Sequence, residues 1–198
     1  QHGRLIYVGA GTSGRLGILD AAECPPTFGT DPEVVKGIIA GGSEAVFRSV
    51  EGAEDDRDAA ADALRQLHLS PPDILVGIAA SGVTPFVLEG LSFARTRKCA
   101  TILFSCSPEA AASVDAKIKV VPLVGPEVIT GSTRMKAGTA TKLFLNMLST
   151  AAMVKLGKTF GNLMVDLKPW NAKLKDRSAR ILSALAKVEI SQAERTLK

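Results

Sequence analysis

Cysteine, histidine and aromatic residues are scarce in this 198-residue chain, which has three Cys, two His and nine aromatics, seven of them Phe. Cys24, Cys99 and Cys106 leave an odd thiol and show no Cys-x-x-Cys spacing, and His2 and His68 are the whole imidazole supply. Neither a disulfide framework nor a metal site is therefore expected. No run of 18 uncharged apolar residues exists, and no signal peptide is visible, so the expectation is a cytoplasmic protein with no membrane partner. Few aromatics also leave few platforms for stacking nucleic-acid bases. The net charge of +4 is uneven: residues 1–100 carry 9 basic and 13 acidic side chains, and residues 101–198 carry 15 and 7. The surplus is concentrated at the C-terminal end, where residues 167–198 hold 8 basic and 3 acidic groups. A solvated helix face accounts for that better than a nucleic-acid footprint, so no nucleic-acid partner is expected. The opening QHGRLIYVGAG lacks an initiator Met and enters an apolar run at once, which suggests a piece of a longer protein.

What is present is a 46% hydrophobic, 22% charged chain, enough for one well-buried domain. Short apolar runs recur at Arg4 to Gly11, Val34 to Gly42, Asp73 to Gly82, Ala100 to Ser105 and Ala116 to Val124. Between them lie stretches of helical periodicity, around Leu16 to Ala22, Asp55 to Leu67 and Pro85 to Ala94. Buried strands alternating with helices predict an α/β fold: a three-layer, open, mostly parallel sheet with helices on both faces. Right-handed crossovers would bring every strand-to-helix loop to the C-terminal sheet edge, where such folds bind ligands. A polar hinge then leads into the apolar helix Leu143 to Gly157, with Thr139 as its candidate cap, and a basic amphipathic stretch from Asn171 to Leu197 predicts one or two more helices. The economical division is a domain over 1–166 and a helical extension over 167–198 packed on or beside it. The apolar helix has more apolar face than one side of a sheet uses, which predicts a homodimer.

Gly9, Gly11 and Gly14 satisfy a dinucleotide fingerprint, yet the second apolar run ends in Ala40, Gly41 and Gly42 with no acid for a ribose, so no such cofactor is expected. Thr12 and Ser13, where the loop enters a helix, and Ser81 and Thr84, at the tip of another strand, suit a small phosphate held by hydroxyls and backbone N–H groups. Each loop alone would serve equally as an ordinary helix cap. Ser132, Thr133, Arg134 and Lys136 add hydroxyls and positive charge in the hinge. Two carboxylates stand out. Glu23 precedes Pro25 and Pro26 at the end of the first helical stretch, near apolar Leu19, Ala22 and Phe28, a setting suited to a general acid. Glu54 lies just ahead of a helix beside Asp55 and Asp56, which read as helix-start acids.

The blocks GRLIYVGAGTSGRLGILDAAECPPTFG, IAGG, VEGAEDD, GIAASG, GPEVITGSTRMKAGTATK and LGKTFGNLMVDL resemble the N-acetylmuramic acid 6-phosphate etherases, built on the sugar isomerase (SIS) domain. That resemblance implies an SIS-type, flavodoxin-like fold and a sugar 6-phosphate substrate, with no cofactor. It also implies the reaction: opening of the D-lactyl ether by elimination and hydration, giving N-acetylglucosamine 6-phosphate and D-lactate. Glu23 matches the family's acid, and Glu54 matches its second catalytic glutamate, here assigned as the base at C2. Ser13, Ser81 and Thr84 match phosphate-binding positions, and Ser132, Thr133, Arg134 and Lys136 match a family signature. The chain departs from related patterns at Ala79, where many sugar isomerases have serine, and at Val83, in a stretch where etherases often have a basic residue and an aromatic and where Phe86 also stands. The glucokinase regulatory protein, a noncatalytic sugar-phosphate-responsive inhibitor, is also similar and supplies the alternative reading. It lacks the ECPPTF block.

Overall fold

The computed structural model describes residues 3–167, 169 and 171–197; Gln1, His2, Lys168, Trp170 and Lys198 lie outside the described residues. Two compact units divide the chain, one holding the residues through Ala22 together with Pro32–Met147, the other holding Glu23–Asp31 and the chain from Leu148 onward.

The first unit contains the five expected strands, β1 (Leu5–Gly9), β2 (Val35–Ile39), β3 (Ile74–Ile78), β4 (Ala100–Phe104) and β5 (Ile118–Val120). All pair in parallel, in the order β2-β1-β3-β4-β5. The inner strands are buried on both faces: Ile6, Tyr7 and Val8 of β1, Leu75 and Val76 of β3, and Leu103 and Phe104 of β4 are each at most 1% exposed. That is why they read as continuous apolar runs rather than alternating ones. The edge strands β2 and β5 are only partly covered.

Helices α1 (Gly11–Phe28), α2 (Glu44–Phe47), α3 (Arg57–Gln66), α4 (Pro85–Thr96), α5 (Pro108–Ser113) and α6 (Lys136–Lys155) make the connections. Local chemistry sets several of their ends. Asp56 caps α3 by accepting from Ala59 N–H at 3.0 Å, and Pro85 takes the first position of α4, where no N–H is needed. Buried Ala60, Ala61 and Leu64 form the inner stripe of α3, and Phe86, Val87, Gly90, Leu91 and Ala94 form that of α4.

Two helix boundaries depart from the sequence reading. Helix α1 does not stop at Ala22 but runs through Pro25 and Pro26 to Phe28. The prolines remove two intrahelical donors, and just past the helix end Gly29 N–H donates to Pro25 O at 2.9 Å. Helix α6 begins at Lys136, seven residues before the expected Leu143, and Thr139 does not cap it. The cap is the Glu127 carboxylate, which accepts from Lys136 N–H and Ala137 N–H, each at 3.0 Å. These two N–H bonds hold the Glu127 carboxyl below its ordinary range.

The second unit carries a two-strand hairpin, β6 (Thr159–Phe160) and β7 (Leu163–Met164), that the sequence pattern did not predict. It also carries α7 (Ala172–Ala186) and α8 (Ile190–Thr196), where the sequence predicts one or two helices. Asn171 caps α7 by accepting from Leu174 N–H at 2.9 Å. Among the described residues no helix is long and apolar enough to cross a membrane.

Candidate functional site

A sheet ordered 2-1-3-4-5 reverses its winding between β1 and β3, and ligands of open α/β folds sit outside the strand ends at that reversal. Here Gly9 ends β1 beside Ile78, which ends β3. Both hydroxyl-bearing loops emerge from this pair, Ala10 to Ser13 on one side and Ala79 to Thr84 on the other.

The three glycines of the first loop have structural work that involves no nucleotide. Gly9 and Gly14 face each other so closely that a Cβ on Gly14 would lie 2.7 Å from Gly9 O and 2.6 Å from Ile39 Cγ1. Gly11 takes φ +51°, a left-handed value that favours glycine. The tight turn puts Gly11, Thr12 and Ser13 in the first turn of α1, where backbone N–H groups point out of the helix. Thr12 is exposed and Ser13 half-buried. β2 ends at Ile39 and is followed by Ala40, Gly41 and Gly42, so no carboxylate stands at its tip.

The second loop is braced from β4. Ala79 N–H donates to Phe104 O at 3.0 Å, and Cys106 N–H donates to Ala80 O at 2.9 Å. Gly82, at φ +79°, has Ala110 and Ser105 so close that a side chain there would collide with both. Ser81 is exposed, and Thr84 is half-buried at the N-cap of α4. The Thr84 hydroxyl makes no capping bond to its own helix. Helix capping therefore leaves the Thr84 side chain unaccounted for.

The hinge closes on the same edge. Glu127 draws Pro126 to Ala137 into a compact loop, reinforced by Lys136 Nζ donating to Pro126 O at 2.8 Å. A Cβ built on Gly138 would lie 3.9 Å from Thr12 Cγ2, so the start of α6 adjoins the first loop. Thr133, Arg134 and Lys136 are exposed, and Ser132 is half-buried. The Lys136 ammonium is engaged with the loop carbonyl, whereas Ser132, Thr133 and Arg134 form its outer face.

Glu54 occupies a 3-10 turn, Ala53–Asp55, that packs against α4, the helix starting at Thr84. Its side chain is exposed, and the capping task falls to Asp56. Arg15, on the second turn of α1, reaches the segment leading to this turn, with Nε donating to Val46 O at 2.9 Å and Nη2 to Arg48 O at 3.1 Å. Sequence reasoning missed this role, because nothing local marks an arginine whose partners lie 31 and 33 residues away. Glu23 belongs to the second unit and is exposed in the fourth turn of α1. The expected apolar setting is not formed by its helix neighbours, since Leu19 and Ala22 are exposed as well, while Phe28 is buried. Among the described residues no group of three His, Cys, Asp or Glu side chains is placed to hold a metal ion.

The comparisons agree with this architecture. The family described as the glucokinase regulatory protein N-terminal SIS domain matches residues 1–95. A chain from E. coli CFT073, solved as a ligand complex, has the same fold, with a TM-score of 0.58 at 16% identity over 79% of this chain and 72% of that one. The solved structure shows the shared α/β fold. At the sequence level the similarity is far closer. The N-acetylmuramic acid 6-phosphate etherase of Pasteurella multocida is 57% identical over 100% of this chain and 65% of its own length, and that of Rhodopirellula baltica is 55% identical over 100% and 66%. Over its whole length the chain is similar to these N-acetylmuramic acid 6-phosphate etherases, and it spans slightly less than two thirds of the length of these curated relatives.

Proposed function

We propose that the protein carrying this chain cleaves the D-lactyl ether of N-acetylmuramic acid 6-phosphate. What supports the reading is that the Thr12–Ser13 and Ser81–Thr84 loops leave the adjacent strand ends Gly9 and Ile78, that Gly138 at the start of α6 lies beside Thr12, and that Glu54 stands on a turn packed against α4. In this reading those hydroxyls and the first-turn N–H groups of α1 hold the 6-phosphate. Glu54 removes the proton at C2 of the ring-opened aldehyde, whose C1 carbonyl accepts the electron pair as an enolate. The enolate expels the lactyl oxygen from C3, and Glu23 gives that oxygen its proton. Water then adds across the unsaturated aldehyde at C3, giving N-acetylglucosamine 6-phosphate and D-lactate. Two carboxyl groups in opposite protonation states suffice for these steps, without redox chemistry.

The protein acts, on this reading, as a cytoplasmic homodimer. The outer face of α6 supports association, because Leu143 and Met147 are 53% and 63% exposed on a helix whose buried stripe lies elsewhere. The family match over residues 1–95 favours a second reading, a noncatalytic sugar-phosphate sensor.

D-lactate release and C2 deuterium uptake from solvent separate the two in the full-length protein. Each glutamate-to-glutamine variant is expected to cost about 10²–10⁴-fold in turnover. Glu54→Gln abolishes C2 exchange, whereas Glu23→Gln retains exchange and releases little lactate. The opposite pattern reverses the two assignments. Wild-type protein that binds the sugar phosphate but neither exchanges C2 hydrogen nor releases lactate is the sensor.

A further inference from the structure

We propose that Arg15 is a positioning residue that holds Glu54 in register with the phosphate loop. The inference rests on the reading of Glu54 as the C2 base and adds a residue that the reaction itself does not require.

Arg15 springs from α1 two residues after Ser13, so its backbone moves with the loop that presents Thr12 and Ser13. Its guanidinium is spent on main-chain carbonyls, with Nε on Val46 O and Nη2 on Arg48 O at 2.9 and 3.1 Å. Those carbonyls lie at the C-terminal end of the short helix α2. From Arg48 only five residues precede Glu54. That span is packed as well as tethered: a Cβ on Gly41 would lie 3.0 Å from Val50 Cβ and 3.2 Å from Ala53 Cβ, so both residues close over the β2 exit. On its far side the Ala53–Asp55 turn rests on α4. Glu54 thus stands between two anchors, α4 with its Thr84 start and α1 through Arg15.

The consequence is geometric. A phosphate on the first loop and a base on the 3-10 turn are indexed to one helix, and proton abstraction at C2 is sensitive to that spacing, since a displacement near 1 Å can cost on the order of 100-fold. Arginine suits the task because its planar fork addresses two carbonyls from one side chain, which a lysine ammonium does as a point charge only.

The test uses full-length protein and the variants Arg15→Gln, Arg15→Lys and Glu54→Gln. Three quantities are read: C2 deuterium uptake by N-acetylmuramic acid 6-phosphate at saturation, the Kd of N-acetylglucosamine 6-phosphate by titration calorimetry, and amide hydrogen exchange of residues 46–55. Arg15→Gln is expected to slow C2 uptake about 10- to 100-fold, leave Kd within about threefold, and speed amide exchange across 49–55. Arg15→Lys falls between it and wild type, and it carries the test by the same criteria if the glutamine variant fails to fold. Unchanged C2 uptake in a folded Arg15 variant, with uptake lost in Glu54→Gln, overturns the inference and leaves the base assignment standing. A weakened Kd with unchanged uptake at saturation also overturns it, making Arg15 a phosphate ligand. Uptake retained by Glu54→Gln removes the base assignment and the inference together.

Discussion

Asp73 is 1% exposed and is held by Arg4 and Ser70. Its Oδ1 accepts from Arg4 N–H and Arg4 Nε, each at 3.0 Å, and its Oδ2 accepts from Arg4 Nη2 at 2.7 Å and Ser70 N–H at 2.9 Å. Burial pushes the carboxyl upward, but the Arg4 guanidinium, the two backbone donors and the Arg4 charge outweigh it and hold the group at about 2. An unfolded aspartate titrates near 3.9. The folded value is depressed, so the stabilisation is complete above about pH 4 and disappears as pH falls through about 2, amounting to roughly 2–3 kcal/mol. Urea denaturation between pH 6 and pH 2 is expected to show this loss in wild type and not in Asp73→Asn. At pH 7 that variant is expected to be about 3–5 kcal/mol less stable, since Arg4 keeps its charge without its partner.

Two glycines that look alike in sequence differ in what their elements require. On α1, Gly14→Ala drives a methyl into the backbone of Gly9, and overpacking of that kind costs about 1–3 kcal/mol. On α6, a methyl at Gly138 meets its nearest neighbour, Thr133 O, at 3.5 Å, an ordinary contact. Gly138→Ala is therefore expected to raise stability by up to about 1 kcal/mol through helix propensity. Thermal melts of the two variants check the difference in sign. The same elements mark what the sequence could disclose. The three inner strands were legible because burial on both faces leaves uninterrupted apolar runs, and the two hydroxyl loops followed from glycine and Ser/Thr at strand ends. The start of α6 was not legible, because its cap comes from Glu127 rather than from a residue at the helix end. The β6–β7 hairpin pairs only two residues on each side, too few for an alternation to register. Glu54 could be singled out from its block, but not the tether from Arg15 that leads to it.

For the whole molecule, the outer face of α6 is the feature that asks for a partner. Its buried Ala137, Thr141, Leu145, Ser149 and Met153 recur every fourth position, with Gly138 beside the first, and leave Leu143 and Met147 on the open side. Light scattering of the full-length protein at micromolar concentration is expected to give the mass of a dimer, and Met147→Asp is expected to shift it toward monomer. A wild-type monomer under those conditions contradicts the dimer.

The reversal between β1 and β3 has a further consequence, for the order in which the chain folds. Leu5 pairs with Val35 on one side and with Ile74 on the other. A chain emerging from the ribosome can close the first of these loops early, but β1 keeps one edge open until the more distant β3 has followed it. Closure entropy rises only slowly with loop length, but pairing between distant segments slows folding. The edge assigned to the phosphate is therefore bounded by a long-range strand contact, and during synthesis its two walls cannot meet before β3 has left the exit tunnel.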